Sequence, residues 1–335
     1  MASTGNRAIL HKVDPNYTGI GKLELASRPI PEALPGKVVI HLLLRPINPT
    51  DLTSPLSRHG RPVSTPGSEG YGIVHAIGDG VTKVKPGQRV VPFVWESAIE
   101  SGDGSWQEYV CVRESMLTLV PDSVSDEVAA QFVLNPWTAV GLMRDLHVPE
   151  GDFMLQTAAG SMLGRLVIQL AKHKGIKTIN VVRREEQKEE LKALGADEVI
   201  CSTTEDVVAR VKEITSNKLV YGALDCVGGD MTKIVTGCVR RKGTVFLYGV
   251  LSGTEATINI YDLLRQVEIK GWLVMNYWDS VEHRDAFISE AWRLFEAKVF
   301  QLSPCKRYEL SDVEEALKGV GKGGGGTKVL LETKL

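Results

Sequence analysis

A glycine-containing turn, followed by a pair of arginines, is the stretch of this sequence whose residue types point most directly to chemistry. The segment TAAGSMLG covers residues 157–164, and its alanines, glycines and serine leave the backbone accessible. In a strand–turn–helix unit, the N–H groups of such a turn bind a pyrophosphate at the positive end of the helix. Alanine and serine replace the first and central glycines of the full G-x-G-x-x-G pattern, so the turn alone is a weak predictor.

The elements around the turn strengthen the prediction of a dinucleotide site. An apolar strand is predicted over residues 152–158, a helix over 164–174 and a second strand over 177–182. In this context a turn of small residues binds the phosphates of a dinucleotide. An ordinary α/β crossover that binds nothing is the alternative. The predicted cofactor contacts in this turn are Gly160, Ser161, Met162 and Leu163.

Arg183 and Arg184 follow the second strand, in the usual place for contacts with the adenosine ribose. An acidic residue there hydrogen-bonds a free 2′-OH and repels a 2′-phosphate, whereas guanidinium groups bind the phosphate. The pair therefore predicts NADPH rather than NADH as the cofactor. The alternative is a solvated pair that bridges to Glu185 and Glu186.

Composition excludes several classes of function. The chain has 335 residues, 43% of them hydrophobic and 24% charged, as in a globular protein long enough for two domains. Its formal net charge of -2 gives no general electrostatic basis for binding nucleic acid. No apolar run reaches the roughly 18–20 residues that span a bilayer, so no membrane insertion is expected.

The amino-terminal segment and the cysteines indicate the compartment. The segment MASTGNRAILHKVD lacks the apolar stretch of a signal peptide, and a cytoplasmic location is the simplest expectation. The five cysteines are scattered and form no C-x-x-C pair. A disulfide framework or a cysteine-rich zinc lobe is therefore not expected.

Two kinds of hydrophobic pattern divide the chain. Short apolar strands at residues 37–44, 71–77 and 89–93, separated by Pro/Gly turns, suggest a compact β-barrel-like unit. After Ser125, a predicted helix cap, strands and helices alternate, as in a doubly wound parallel sheet. The expected fold class is α/β. The expected boundaries are residues 1–124 for the first part of the barrel domain, 125–262 for the dinucleotide-binding domain and 263–335 for the return to the first domain.

Seven segments follow one another in an order that is more specific than any one of them: INPTDL, TPGSEGYG, VKPGQRVVPF, NPWTAVGLM, AAGSMLG, LKALGADEVI and LDCVGG. In this order they resemble the landmarks of the medium-chain dehydrogenase/reductase superfamily over essentially the whole chain. The resemblance implies a GroES-like β-barrel catalytic domain interrupted by a Rossmann domain. It also implies a homodimer, since relatives of this kind commonly pair through their Rossmann domains.

Many members of that superfamily carry a catalytic zinc and a four-cysteine structural zinc lobe. Thr50 and Asp51 occupy the region where a cysteine ligand would fall, and residues 92–106 contain no cysteine. The resemblance therefore implies the zinc-independent branch, with no metal site. That branch includes quinone reductases, 2-alkenal reductases and enoyl thioester reductases.

Within the branch, GDGSWQEYV, NPWTAV and KGWLVMNYW look most like the trans-2-enoyl-CoA/acyl carrier protein reductases. Matching segments imply further NADPH contacts beside the turn and the arginine pair. These contacts are Asn135, Tyr248, Gly249, Val250, Leu251, Trp272, Leu273, Val274 and Lys328. Tyr248 and Trp272 have core packing as an alternative role, and Lys328 an exposed strand position. The mitochondrial transit peptide of those reductases is not expected in this protein.

The expected reaction is hydride transfer from NADPH to the C=C bond of an α,β-unsaturated carbonyl compound, with 2-enoyl thioesters as the leading acceptors. His59 stands where the enoyl reductases carry a tyrosine, and imidazole can donate a proton near neutral pH. His59, Asn48 and Asn135 are the polar candidates near the acceptor oxygen. Phe93, Trp95, Trp137, Tyr277 and Trp278 are candidates for an acyl pocket, with core packing as the alternative. Enones are further acceptors of the expected reaction. Reduction of a quinone and NADPH binding without catalysis are the alternative functions.

Overall fold

The chain forms two compact units in the computed structural model, which describes residues 5–12, 22–53, 63–277, 281–320 and 327–334. Unit 1 contains the described residues up to Leu134 and those from Ser303 onward. Unit 2 runs from Asn135 to Leu302. No helix within the described ranges is long and apolar enough to cross a membrane.

Unit 1 is built mainly from β-strands. A three-stranded antiparallel sheet has the order β2-β1-β4, and a seven-stranded sheet has the order β15-β16-β3-β5-β6-β8, with β7 paired to β3. Its strands are β1 (Asn6–Lys12), β2 (Lys22–Arg28), β3 (Lys37–Pro46), β4 (Val63–Ser64), β5 (Tyr71–Ile77), β6 (Arg89–Pro92), β7 (Tyr109–Arg113), β8 (Leu117–Leu119), β15 (Cys305–Glu309) and β16 (Lys328–Glu332). Its helices are α1 (Pro49–Thr53), α2 (Trp95–Ser101), α3 (Asp126–Ala130) and α11 (Val313–Gly319).

The long strand β3 is the centre of unit 1, because it pairs with β5, β7 and β16. Its apolar residues other than Leu43 are buried, as a strand covered on both faces requires. A neighbouring core joins residues that are far apart in sequence, including Ile9, Trp106 and Leu331. The last strand, β16, is therefore held in the unit that the first third of the chain forms.

Unit 2 is a doubly wound sheet of six parallel strands in the order β11-β10-β9-β12-β13-β14. The strands are β9 (Phe153–Gln156), β10 (Lys177–Val182), β11 (Glu198–Cys201), β12 (Val220–Asp225), β13 (Val239–Leu247) and β14 (Glu268–Gly271). The helices are α4 (Leu134–Leu146), α5 (Met162–His173), α6 (Gln187–Leu194), α7 (Val207–Ile214), α8 (Gly229–Cys238), α9 (Ile260–Leu264) and α10 (Val281–Glu296). The order reverses between β9 and β12, which is the switch point where such sheets bind ligands.

The predicted fold class is confirmed: the α/β chain has one unit built mainly from β-strands and one unit built on a doubly wound parallel sheet. The chain after Ser125 forms two successive helices, α3 and α4. Ser125 caps the first, since its side chain accepts a hydrogen bond from the Val128 amide. Pro136 explains why a second helix, α4, starts here, because proline has no N–H to donate and fits the first turn of a helix.

The return to the first unit comes later than expected, at Ser303 rather than Leu263. Strand β14 extends the parallel sheet of unit 2, because it pairs with β13. The following helix, α10, also belongs to unit 2, where Phe287 packs edge-on against Trp137 at 6.1 Å. The first boundary moves from residue 124 to Leu134, because α3 lies in unit 1.

Candidate functional site

The carboxyl edge of the unit 2 sheet carries most of the predicted cofactor residues. Four of its strands end at Gln156, Val182, Leu247 and Gly271. Because all the strands are parallel, the segments that follow them lie at one edge of the sheet. Those segments contain the phosphate turn, the arginine pair, residues 248–251 and residues 272–274.

The turn after β9 has the geometry of an anion-binding site. Ser161 caps α5, and its Oγ accepts a hydrogen bond from the Gly164 amide at 3.1 Å. Among the described residues, the amides of Gly160, Met162 and Leu163 have no hydrogen-bond partner. Free amides at the first turn of a helix bind phosphate, and the helix dipole favours the negative charge. The residues of this turn therefore fit the pyrophosphate of a dinucleotide.

Two positions show why small residues occupy this turn. Ala158, which stands where the full motif has a glycine, has a φ of 47°, a left-handed conformation that is costly for a residue with a Cβ. A Cβ added to Gly164 would lie 2.5 Å from the Ala159 carbonyl oxygen. The helix can start this close to the preceding backbone only because residue 164 is glycine.

The two arginines after β10 are not equivalent. Arg183 is exposed, and no ion pair to its guanidinium is found among the described residues. The Arg184 Nε lies 3.6 Å from Glu186 Oε1, whereas Glu185 pairs with Lys188 at 2.9 Å. The pairing predicted as the alternative role is therefore present for Arg184, and Arg183 is the better placed of the two to bind a phosphate.

Asp225, at the end of β12, is a site residue that the sequence analysis missed. It is fully buried, and its Oδ1 accepts hydrogen bonds from Thr157 Oγ1 at 2.8 Å and the Val227 amide at 2.9 Å. Its Oδ2 accepts one from Thr232 Oγ1 at 2.8 Å. The carboxylate thus joins the segments after β9 and β12, on the two sides of the switch point. Its place in LDCVGG, as the last residue of a buried strand, was the sequence signal that could have identified it.

The predicted contacts after β13 and β14 divide into buried and exposed residues. The Trp272 side chain is buried, and its indole N–H donates to Asp145 Oδ2 at 2.7 Å, which supports the alternative role in packing. The Tyr248 hydroxyl is buried beside the Cys226 thiol, and burial raises the pKa of Tyr248 well above the usual value. Val274 is buried and Gly249 half-buried, whereas Val250, Leu251 and Leu273 are exposed.

The remaining candidates in these loops and in the predicted pocket have mixed surroundings. Asn135 is half-buried at the start of α4, and its side chain has no hydrogen-bond partner in the described part of the chain. Trp137 is buried against Phe287, and Phe93 stacks on Trp95 at 6.5 Å. His59 and Trp278 lie outside the described residues, as does the side chain of Tyr277, so their roles stay predictions.

In unit 1, the structure brings together Asn48 and Lys328, which are 280 positions apart in the chain. The Lys328 Nζ donates to Asn48 Oδ1 at 2.5 Å, and Asn48 Nδ2 donates to Glu69 Oε1 at 2.9 Å. The Asn48 amide N–H donates to Asp51 Oδ2 at 2.8 Å. We call Asn48, Asp51, Glu69 and Lys328 the buried polar cluster, since each is at most 5% exposed.

Burial changes the titration of every charged group in the buried polar cluster. It raises the pKa of Asp51 to about 7 and raises the pKa of Glu69, although Lys328 opposes both shifts. Burial lowers the pKa of Lys328, while Glu69 and Asp51 raise it. Because Lys328 is buried, its alternative role as an exposed strand residue is wrong. Both ends of the Asn48 side-chain amide are engaged, which favours a positioning role over direct contact with an acceptor.

The described residues contain no group of three or more His, Cys, Asp or Glu side chains that is arranged to hold a metal ion. The absence of a metal site in the whole chain stays a prediction.

Comparisons with known families agree with the two-unit architecture. The profile described as alcohol dehydrogenase GroES-like domain matches residues 34–122. The profile described as zinc-binding dehydrogenase matches residues 163–295. The first match falls in unit 1 and the second in unit 2.

A similar curated relative is the mitochondrial enoyl-[acyl-carrier-protein] reductase of Dictyostelium discoideum, which is 33% identical over 318 residues, 89% of this chain and 87% of the relative. Among solved structures, a quinone oxidoreductase of Pseudomonas syringae is 27% identical, with a TM-score of 0.85 over 97% of this chain and 99% of that chain. The Escherichia coli quinone oxidoreductase complexed with NADPH is 25% identical, with a TM-score of 0.86 over 98% of this chain and 100% of that chain.

Proposed function

Because the chain belongs to the medium-chain dehydrogenase/reductase superfamily, with enoyl reductases and quinone oxidoreductases among its relatives, we propose that it is an NADPH-dependent reductase of α,β-unsaturated carbonyl compounds. The favoured acceptors are 2-enoyl thioesters of coenzyme A or acyl carrier protein. The observation that carries the proposal is the 33% identity to the Dictyostelium enoyl-[acyl-carrier-protein] reductase over 89% of this chain. The superfamily resemblance predicted from the sequence motifs is confirmed.

The residues of the carboxyl edge support NADPH as the cofactor. The amides of Gly160, Met162 and Leu163 would bind the pyrophosphate, and Arg183 would bind the 2′-phosphate. NADPH supplies the hydride. Hydride addition at the β-carbon leaves negative charge on the carbonyl oxygen, and a proton is then taken up at the α-carbon. Asn135 and His59 are the polar groups proposed near that oxygen.

Substrate profiling tests the acceptor class. Purified protein is mixed with NADPH and either crotonyl-CoA or hexenoyl-CoA, and oxidation is followed at the nicotinamide absorption band. We expect turnover of the enoyl thioesters. Strong turnover of ortho- or para-quinones, with none of the enoyl thioesters, would reject the proposal.

Quinone reduction is the second candidate, and the structural likeness to two quinone oxidoreductases favours it. Both oxygens of a reduced quinone can take protons from water, so this reaction does not need a protein proton donor. The two candidates differ in their dependence on His59. A His59→Phe variant should lose enoyl reductase activity and retain any quinone reductase activity.

Binding without catalysis is the third candidate, since a fold alone does not determine activity. NADPH would stabilise a protein of this kind against heat. The protein would not oxidise NADPH, whichever acceptor is added. Thermal unfolding with and without NADPH, combined with the absorbance assay, separates this candidate from both enzymes.

A homodimer completes the proposal. The edge strand β14 has exposed residues at Glu268 and Lys270, and the preceding helix α9 exposes Ile260, Tyr261 and Leu264 at 62%, 72% and 70%. An unpaired sheet edge beside exposed apolar side chains is a typical association surface. Sedimentation should give twice the monomer mass, and a Tyr261→Glu/Leu264→Glu variant should sediment as a monomer.

A cytoplasmic location is retained as a proposal, although the Dictyostelium relative is named as mitochondrial. Fractionation of cells that express the full natural chain distinguishes the two compartments. Recovery with the mitochondrial matrix would reject the cytoplasmic location.

A further inference from the structure

A cavity of about 290 Å³ lies at the amino edge of the unit 2 sheet, where strands β9, β10, β12 and β13 begin. We call it the amino-edge cavity, and its charged lining residues are Asp152, Lys177, Lys218 and Arg240. We propose that the amino-edge cavity binds a small phosphomonoester. This second site lies within unit 2 and is independent of the proposed function.

The amino-edge cavity has an excess of positive charge. Three of its charged lining residues are cations and one is a carboxylate, which leaves two positive charges uncompensated. None of the three cations forms an ion pair with a carboxylate in the described part of unit 2. A phosphomonoester carries a charge of about −1.5 to −2 at neutral pH, which matches this excess better than the single charge of a carboxylate does.

Aromatic rings order two of the three cations. The pairing of β9 with β10 places Phe153 beside Lys177, and the Lys177 Nζ lies 5.3 Å from the centre of the Phe153 ring. In the neighbouring strands, the guanidinium carbon of Arg240 lies 3.8 Å from the centre of the Tyr221 ring. A ring face attracts a cation without removing its charge. Both cations are therefore held in place and can still bind an anion, which lowers the entropy cost of binding.

The third cation, Lys218, extends from a fixed turn between α7 and β12. Its neighbours Ser216, Asn217 and Leu219 have φ values of 49°, 62° and 63°, a left-handed conformation that is costly for residues other than glycine. Hydrogen bonds hold this turn, since the Leu219 amide donates to Thr215 Oγ1 at 3.0 Å. The turn forms one wall of the cavity and presents Lys218 there on an ordered backbone.

Size and position separate the amino-edge cavity from the cofactor site. Pockets for drug-sized ligands measure about 300–1,000 Å³, so a cavity at the lower limit fits a ligand as small as phenyl phosphate and excludes a dinucleotide. Phe153 begins β9, whereas the phosphate turn follows the end of that strand. The four residues of β9 span about 13 Å, so the two ligands would not overlap.

Isothermal titration calorimetry with phenyl phosphate tests this site. We expect binding to the wild type and an unchanged Kd when NADPH is present at saturation. Lys218→Met and Arg240→Met should each raise the Kd about tenfold, because each removes a charged hydrogen-bond donor. Lys233→Met is the matched control, since Lys233 is an exposed cation of α8 that does not line the cavity, and its Kd should change less than about twofold.

Benzenesulfonate tests the charge match, because it has the same ring and a single negative charge. It should bind the wild type about fivefold more weakly than phenyl phosphate, and equal affinities would contradict the choice of a phosphomonoester.

The other outcomes also decide between a site and an uninvolved surface. No heat of binding at millimolar phenyl phosphate, or equal weakening in Lys233→Met, would overturn the site. A Kd that rises with NADPH would place the phosphate at the carboxyl edge and would overturn it as well. A wild type that binds phenyl phosphate but not NADPH would reject the proposed function and leave the amino-edge cavity supported. Because Lys218 and Arg240 are exposed, both variants should fold, and thermal unfolding checks this.

Discussion

The polar groups at the carboxyl edge of unit 2 and those of the buried polar cluster of unit 1 are satisfied in opposite ways. At the carboxyl edge, backbone amides and the exposed Arg183 have no partners among the described residues. In the cluster, a buried lysine and two buried carboxylates compensate one another, with Asn48 between them. The first region gains its partners from a ligand, whereas the second is complete within the fold.

The two regions should therefore respond differently to substitution. A change at an open edge removes a ligand contact and leaves the folded state nearly unaffected, since exposed charges contribute little to stability. A change in a compensated buried group leaves its partners uncompensated and destabilises the folded state. Binding should be the sensitive measurement at the edge, and unfolding should be the sensitive measurement in the cluster.

Lys328→Met should have the largest effect on stability, because it leaves Glu69 and Asp51 buried without their cation. We expect the free energy of unfolding to fall by about 3–5 kcal/mol, as for other broken buried pairs. Urea denaturation measures it. Lys334→Met is the control, because Lys334 forms an exposed pair with Glu309, and its midpoint should stay that of the wild type. Equal midpoints for both variants would contradict the comparison.

Asp225→Asn should have the next largest effect, and it tests the exception to the comparison, a buried group at the carboxyl edge. In asparagine an NH₂ group replaces one of the two carboxylate oxygens, and this group cannot accept a hydrogen bond. Either Thr157 and Val227, which donate to Oδ1, or Thr232, which donates to Oδ2, therefore loses its acceptor. We expect a loss of about 2 kcal/mol in the free energy of unfolding. NADPH binding should weaken as well, because Thr157 immediately precedes the phosphate turn. A stable variant with weaker binding would show that Asp225 acts on the site alone.

Asp51 should give unit 1 a distinct dependence of stability on pH. Its pKa is about 7 in the folded chain and about 4 in an unfolded one, so the folded state holds an extra proton between these values. This contribution to stability is complete below about pH 4 and is lost as the pH rises to about 7. The stability of Asp51→Asn relative to the wild type should therefore increase by more than about 1 kcal/mol from about pH 5 to pH 8. A difference that does not change with pH would contradict the burial of Asp51.

Arg184→Ala should have the smallest effect. Arg184 already lies near Glu186, so binding to a phosphate would replace the existing contact between these two side chains. We expect the NADPH Kd to rise by about threefold, compared with roughly ten- to a hundredfold for Arg183→Ala. Fluorescence titration of both variants measures the difference. A larger loss for Arg184 would reverse the assignment of the two arginines.

The sequence predicted the carboxyl edge well because the residues there follow strands that have a local signature. The strand at 177–182 has the predicted bounds, and the phosphate turn and the arginine pair directly follow β9 and β10. Parallel strands with apolar residues on both faces then define which edge these segments share. Asn135, Trp272 and Lys328 came from the superfamily resemblance, since no local pattern identifies them.

Local sequence patterns could not predict the buried polar cluster. Lys328 lies in a short strand after a glycine run, where a lysine is expected to be exposed to solvent. Its burial depends on the pairing of β16 with β3, a contact between the two ends of the chain. Glu69 and Asp51 were missed for the same reason, because a carboxylate in a Pro/Gly-rich loop is usually solvated. The late return at Ser303 depends on the pairing of β14, which the periodicity of the chain does not show.

Isothermal titration calorimetry of the wild type and Arg183→Ala with NADPH and NADH tests the central claim that the carboxyl edge of unit 2 holds the phosphorylated dinucleotide. We expect the wild type to bind NADPH more tightly than NADH. Arg183→Ala should lose about ten- to a hundredfold in NADPH affinity, with its NADH affinity nearly unchanged. Equal losses for the two cofactors, or no binding of NADPH to the folded wild type, would contradict the claim.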